Sequence, residues 1–311
     1  MMEKSVMEAL YMKIINFGSL NIDRVYEMAH FVQPGETAKA ASMKVFAGGK
    51  GLNQSVAAAR AGAQVVHAGA IGPDGDFLME LLGEAGADLG CMERVQEPSG
   101  HAVIQVDANG QNAIIVYSGA NGCLTETYID RVLDTAQKDD LILLQNEVSN
   151  VAYIIQSAAS RGLRVVWNPS PVPENLHEHP LDQVYLFMVN ELEAALLAGK
   201  SEEQEPEGLL DELCALYPRA NVVMTLGSKG VMCRVAGESC THKAYRVQAV
   251  DTTGAGDTFC GYFLAGLCQQ RPVAECLARA SAASAIAVSR PGAAPAIPVA
   301  AEVEDFLSKN G

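Results

Sequence analysis

The sequence predicts an α/β protein: a doubly wound, mostly parallel sheet with helices on both faces. Short apolar runs rich in β-branched residues alternate along the chain with helical patterns. Those runs end in Gly, Asn, Pro or Ser, where a buried parallel strand gives way to a turn. Two further stretches alternate apolar and polar residues, as half-buried antiparallel strands do, so a small appended sheet is expected as well.

In chain order, the buried strands are expected at 13–19 (KIINFGS), 64–72 (QVVHAGAIG), 141–147 (LILLQNE), 163–170 (LRVVWNPS), 184–190 (VYLFMVN) and 221–228 (NVVMTLGS). Helical patterns lie between them. The first, NQSVAAARAGA, is expected to start near Asn53 and to end at Gly62. DFLMELLGEAGA, TETYIDRVLDTAQK, VAYIIQSAASRG, ELEAALLAGK and GLLDELCALYP follow. The half-buried stretches are 24–46 and 101–117, and the second contains DANGQN, a hairpin signal. A sheet of this kind is a candidate lid or dimer surface. The acidic segment 200–208 reads as a solvated loop, and no linker divides the main core. Residues 1–11 are expected to be an extension ahead of one domain spanning 12–311.

The formal charge of −15 repels nucleic acid and anionic lipid, so neither is expected as a partner. An anionic ligand must then be held by backbone dipoles and a few cations. No apolar run reaches the length of a membrane span, and the first residues do not form a secretory signal. The eight cysteines form no C-x-x-C pair and read as reduced thiols of a cytoplasmic protein. His177-Glu178-His179 reads as a solvated loop rather than a metal site.

In doubly wound sheets, ligands bind beyond the carboxyl ends of the strands. GSLNID (18–23) ends the first strand with Asn21 and Asp23 on one face. An amide and a carboxylate suit sugar hydroxyls, which both donate and accept; an Asx turn would use the same residues. In AGGKGLNQ (47–54), Gly48, Gly49 and Gly51 let the backbone approach a ligand, and Lys50 and Asn53 can reach polyhydroxylated groups. This is no Walker A loop, because Lys44 stands where its first Gly is needed and Gly51 follows Lys50. In VNELE (189–193), Asn190 and Glu193 suit either a hydrated Mg²⁺ or a helix cap.

DTTGAGDTFCG (251–261) places Gly254, Ala255 and Gly256 at the mouth of a helix, where amides can surround an anion. Asp257 then falls in the first turn. A carboxylate beside an anion hole repels the anion, which is sensible only if it takes a proton from a hydroxyl attacking phosphorus. Phe259 replaces the third Gly of a dinucleotide fingerprint. Asp251 and Thr253 precede this turn, and AVSRPGAAPAIP (287–298) can expose carbonyls. Together they offer hard-cation ligands, or Asp251 simply caps the turn.

GGKGLNQ, NELE and DTTGAGDTFCG, in that order, resemble motifs of the PfkB, or ribokinase-like, carbohydrate kinases, and the similarity runs from about Met12 to the end. The resemblance implies a three-layer α/β/α core with a small β-sheet lid through which a homodimer forms. It implies transfer of the ATP γ-phosphate to a sugar hydroxyl, most simply that of D-ribose. Asp257 matches the family's base, with Gly254, Ala255 and Gly256 as its anion hole. Asn21, Asp23, Gly49, Lys50, Asn53 and Glu147 match sugar-binding positions. Asn190, Thr225, Gly227, Ser228, Gly230 and, near adenine, Ser281 match nucleotide positions. Glu193 with Asn190 matches the Mg²⁺-linked N-x-x-E. A K⁺ site is implied at Asp251, Thr253, Ala287, Arg290 and Gly292, mostly through main-chain oxygens, with Ala296 where members often carry Ser. Another sugar or nucleoside (deoxyribose, fructose) is the competing substrate, and a non-catalytic sugar binder is the competing class.

Overall fold

The structure, a computed structural model, describes residues 12–200 and 204–310; the extension expected at 1–11 lies outside them. A nine-stranded sheet runs through the middle in the order β13-β12-β11-β10-β9-β8-β1-β4-β5. Its strands are β1 (Ile14–Phe17), β4 (Val65–Ile71), β5 (Asp88–Arg94), β8 (Leu141–Leu144), β9 (Arg164–Trp167), β10 (Leu186–Asn190), β11 (Asn221–Thr225), β12 (Val231–Val235) and β13 (Glu238–His242). From β11 to β5 every pairing is parallel; β12 and β13 add an antiparallel edge. Every residue of β1, β4 and β8 is buried, which is why these strands read as apolar runs, broken only by Asn16 in β1 and His67 in β4.

Alternate side chains feed two cores. Ile14, Leu141 and Leu186 point to one face, with α1 (Lys50–Arg60), α2 (Asp76–Glu84), α7 (Ala255–Cys268), α8 (Val273–Val288) and α9 (Ala300–Asn310). Ile15, Ile142 and Phe187 point to the other, with α3 (Glu126–Leu133), α4 (Val151–Ser160), α5 (Glu191–Ala198) and α6 (Pro206–Leu216). The result is the three-layer α/β/α arrangement. Among the described residues, no helix is long and apolar enough to cross a membrane.

Beside the core stands a four-stranded sheet of β3 (Ser42–Gly48), β2 (Asn21–Glu27), β6 (Gly100–Val106) and β7 (Asn112–Tyr117), in the order β3-β2-β6-β7. Its outer pairings are antiparallel, and DANGQN forms the β6–β7 hairpin with Asp107 N donating to Gln111 O. The central pairing, β2 with β6, is parallel, against the antiparallel expectation. Both strands start beside the core, at Asn21 and Gly100, and run outward from it, so they have one direction.

Two other expectations change. Helix α1 starts at Lys50, not near Asn53. Its first free amides find acceptors outside the helix: Lys50 N donates to Glu147 Oε2 (3.0 Å), Gly51 N to Ser19 Oγ (3.1 Å) and Leu52 N to Ser19 O (2.9 Å). Strands β5, β12 and β13 lie outside the runs read from the sequence: β5 and β13 are half-solvated edges with charged residues among the others, and β12 is a five-residue strand interrupted by Arg234.

Helices α1 and α7 touch with almost no gap. A Cβ on Gly261 would lie 2.5 Å from Ala57 Cβ and 2.7 Å from Gln54 O, so only hydrogen fits there. We expect Gly261→Ala to push α7 off α1 and destabilise the protein by roughly 1–3 kcal/mol. Gly83→Ala, in α2 with its nearest neighbour at 3.7 Å, should be neutral or stabilising by up to about 1 kcal/mol. Denaturant unfolding of both variants checks the contrast; equal changes would contradict it.

Candidate active site

The α1–α7 contact fixes the central group. Gly254 adopts the left-handed conformation (φ 71°) and turns the chain into α7, leaving Asp257 in the first turn. Asn53 Nδ2 donates to Asp257 Oδ2 (3.1 Å), and Gln54 Nε2 donates to Oδ1 (2.9 Å). Desolvation raises the Asp257 pKa; nearby Lys50 and the two amide donors oppose the rise, and Glu147 adds to it. Asn53, expected to face sugar, thus commits its amide nitrogen to Asp257, while its buried Oδ1 has no protein partner.

Glu147 has a double role. Its Oε2 accepts from Ser19 Oγ (2.5 Å) and from the first amide of α1, while Oε1 lies 3.8 Å from Lys50 Nζ. Asp23 stands near this pair. Burial raises its pKa to about 6, Glu147 pushes the same way and Lys50 pulls it down. Asn21 is buried and accepts from Asn121 Nδ2 (2.8 Å), so its oxygen is already paired. Gly49 lies at the start of α1, closely packed against Ser19. Asp23, Lys50, Glu147, Asn53 and Asp257 are therefore neighbours, drawn from β2, α1, the loop after β8, and α7.

A cleft of about 180 Å³ lies beside them, lined by Lys50, Asn168, Asn190, Glu193, Thr225 and the turn Gly254–Asp257. It opens into a second cleft of about 510 Å³, walled by Gly227, Ser228, Gly230, Tyr245, Val247 and Ser281. Thr225, Ala255 and Gly256 line both. Of the expected nucleotide residues, Thr225, Gly227, Ser228, Gly230 and Ser281 share this groove, which joins the polar pocket at the start of α7, and Asn190 lines the polar pocket alone. Of the three expected anion-hole residues, Ala255 already uses its amide, donating to Thr252 O (3.2 Å).

Among the described residues no cluster of three or more His, Cys, Asp or Glu could hold a metal. Asn190 and Glu193 form a capping box: Asn190 Oδ1 accepts from Glu193 N (2.8 Å), and Glu193 Oε2 accepts from Asn190 N (3.0 Å). One Glu193 oxygen remains, which suits Mg²⁺ only if waters and substrate phosphates complete its shell. Asp251 accepts from Thr253 N, from Thr253 Oγ1 and, across the fold, from Gly292 N (2.9 Å). It caps the turn and brings the two loops of the implied K⁺ site together. The Arg290 side chain pairs with Glu302 (2.5 Å) and Ala296 has no hydroxyl, so both can offer only main-chain oxygens. His177 and Glu178 lie in a short turn, and His179 stacks on Trp167.

Sequence reasoning missed Ser19, Gln54, Asn121, Gln145 and Asn168, all bonded to site residues or to their partners. All had a signal: Ser19, Gln145 and Asn168 each follow an apolar strand run, Gln54 closes the GGKGLNQ motif and Asn121 closes SGAN (118–121).

The family model of the pfkB family carbohydrate kinases matches residues 12–300. The chain is 36% identical over 297 residues to the ribokinase of Haemophilus influenzae, covering 93% of this chain and 96% of that one. It is 32% identical to a deoxyribokinase of Salmonella typhi, over 96% of this chain and all of the other. The solved structure of Arabidopsis thaliana ribokinase complexed with ribose and ATP superposes with a TM-score of 0.83 at 29% identity, covering 96% of this chain and 98% of that one. On the family match along nearly its whole length, the chain belongs to the pfkB family carbohydrate kinases.

Proposed function

We propose that this sugar kinase phosphorylates a pentose, D-ribose, on a terminal hydroxyl at the expense of ATP. One observation carries the reading: Asp257 lines a polar pocket directly after Gly256, which borders both that pocket and a nucleotide-sized groove, and amide donors sit on both Asp257 oxygens. A group so placed can take the proton of an attacking hydroxyl. The hydroxyl oxygen bonds to the γ-phosphorus, the bond from γ-phosphorus to the bridging oxygen breaks, ADP leaves, and the proton goes to Asp257. Such transfer runs mostly on positioning and charge stabilisation. The amides of Gly254 and Gly256, at the start of α7, would face the charge that grows on the transferred group, while that of Ala255 holds the turn through Thr252 O. Asp23, Asn53, Lys50 and Glu147 supply the donors and acceptors that sugar hydroxyls need.

Bound Mg²⁺ supplies charge neutralisation on the phosphates, and Glu193 and Asn190 would face it. K⁺ in the 251–253 and 287–292 loops would order the turn into α7. Exposed Met43, Val45, Phe46, Ile114, Ile115 and Val116 on the four-stranded sheet support pairing of two lids in a homodimer. Eight free thiols suit a cytoplasmic setting. The similarity to a deoxyribokinase makes 2-deoxyribose the competing substrate.

A coupled assay over ribose, 2-deoxyribose, fructose and nucleosides should give the highest kcat/KM with ribose. Asp257→Asn should lower kcat by about 10²- to 10⁴-fold while calorimetry still detects sugar binding. Near-wild-type turnover would remove Asp257 from the reaction.

Asp23 gives a pH signature. Its folded pKa of about 6 lies above the ordinary 3.8. The folded state therefore binds the extra proton between pH 4 and 6, and ionising Asp23 above that range lowers stability. Asp23→Asn should be more stable than wild type at pH 8, on the order of 1–3 kcal/mol, with the gain fading as the pH falls to about 4. Ribose affinity of the wild type, which uses the ionised carboxylate as acceptor, should weaken below pH 6. That of Asp23→Asn should be low and flat. Denaturant melts and calorimetry across this range check both, and a pH-independent difference would contradict the assignment.

A further inference from the structure

Asp257 is joined to a buried chain of polar side chains that the proposed reaction does not itself use. Gln54 Nε2, besides holding Asp257, donates to Asn168 Oδ1 (3.0 Å). Gln145 Nε2 donates to Gln54 Oε1 (2.7 Å) and to Asn16 Oδ1 (3.0 Å). Asn16 Nδ2 donates to Gly51 O (2.8 Å) and to Ser55 Oγ (2.9 Å). Ser55 Oγ lies 2.8 Å from His67 Nδ1, and His67 Nε2 lies 3.2 Å from Gly18 O. Asn16, Gln54, Ser55, His67 and Gln145 are all buried.

The polarity of this chain follows from its ends. A main-chain carbonyl can only accept, so Gly18 O requires the proton on His67 Nε2. Burial lowers the His67 pKa to about 4, so the ring is neutral at pH 7 and Nδ1 is an acceptor. Ser55 then donates to Nδ1 and accepts from Asn16. Gly51 O independently requires the Asn16 nitrogen on that side. Asn16 therefore turns its oxygen to Gln145, which must answer with Nε2, and Gln145 in turn requires the Gln54 oxygen. From the other side, Asn168 Nδ2 donates to Met188 O (2.8 Å), so its oxygen also demands a donor from Gln54. Turning any of these amides over would set like groups against each other inside the core.

We propose that Gln54 is a positioning residue for Asp257: its amide, locked by Gln145, Asn16, Ser55 and His67, presents a fixed donor that keeps the base ionised and aimed at the cleft. The proposal rests on the reading of Asp257 as the base. A protonated carboxyl must donate, and facing Gln54 and Asn53 it meets two donors, so the lock disfavours protonation. The other charged or titratable groups facing Asp257 are Lys50 of α1, Glu147 after β8 and Cys260 one turn along α7. They are the same in wild type and variant.

The test is Gln54→Met, which keeps the length and removes the donor. The acid limb of kcat, measured with saturating ribose and Mg-ATP, should move up by roughly one to two pH units, with ATP KM unchanged. Gln145→Met, which frees the Gln54 amide to turn, should move it the same way by less; it carries the test if Gln54→Met does not fold. Thermal melts give a readout independent of turnover. The Tm penalty of Gln54→Met should shrink as the pH falls and Asp257 takes a proton, and it should lose that pH dependence in the Asp257→Asn background. The melting pattern without any sugar phosphorylation would support the lock and overturn the base reading. A uniform loss of kcat with an unmoved limb and a pH-independent Tm penalty would reduce Gln54 to packing and overturn the proposal.

Discussion

The contact between α1 and α7 is the constraint on which the site depends. Gly261 lets the two helices meet backbone to backbone, and only then do Asn53 and Gln54 reach Asp257. A carboxylate in a crowded site tends to take up a proton. Here two amides from one helix answer a carboxylate from the other, so the packing that shapes the core also bears on the charge of Asp257. Glu147 extends the arrangement: by accepting the first amide of α1 it fixes where that helix begins and holds Lys50 beside the other acids.

The electrostatics of the pocket look costly in a chain of charge −15, with Asp23, Glu147 and Asp257 around a single Lys50. Under the proposed function, sugar hydroxyls would account for the acids, because each hydroxyl needs an acceptor for its proton. Under the same proposal, phosphate would account for backbone amides rather than side-chain cations at the start of α7. The raised Asp23 pKa shows that burial and Glu147 outweigh the pull of Lys50 on this carboxylate.

Much of this was legible in the sequence because it is local. Buried parallel strands such as β8 declare themselves by four apolar residues in a row, and Gly254 to Asp257 announces a helix start with an acid in its first turn. What escaped is what depends on distant partners. The parallel pairing of β2 with β6 joins segments far apart in the chain, and no local pattern encodes strand direction. The start of α1 at Lys50 depends on acceptors from Ser19 and Glu147. Asn16, Gln54 and Gln145 look like unrelated polar residues until the fold brings them into hydrogen-bond contact.

The most direct test of the account is the pH dependence of kcat for wild type and Asp257→Asn with both substrates saturating. The account predicts a wild-type acid limb above the ordinary aspartate value of 3.8, absent from the residual rate of the variant. A wild-type profile flat down to pH 4, or a limb that survives in Asp257→Asn, would contradict it.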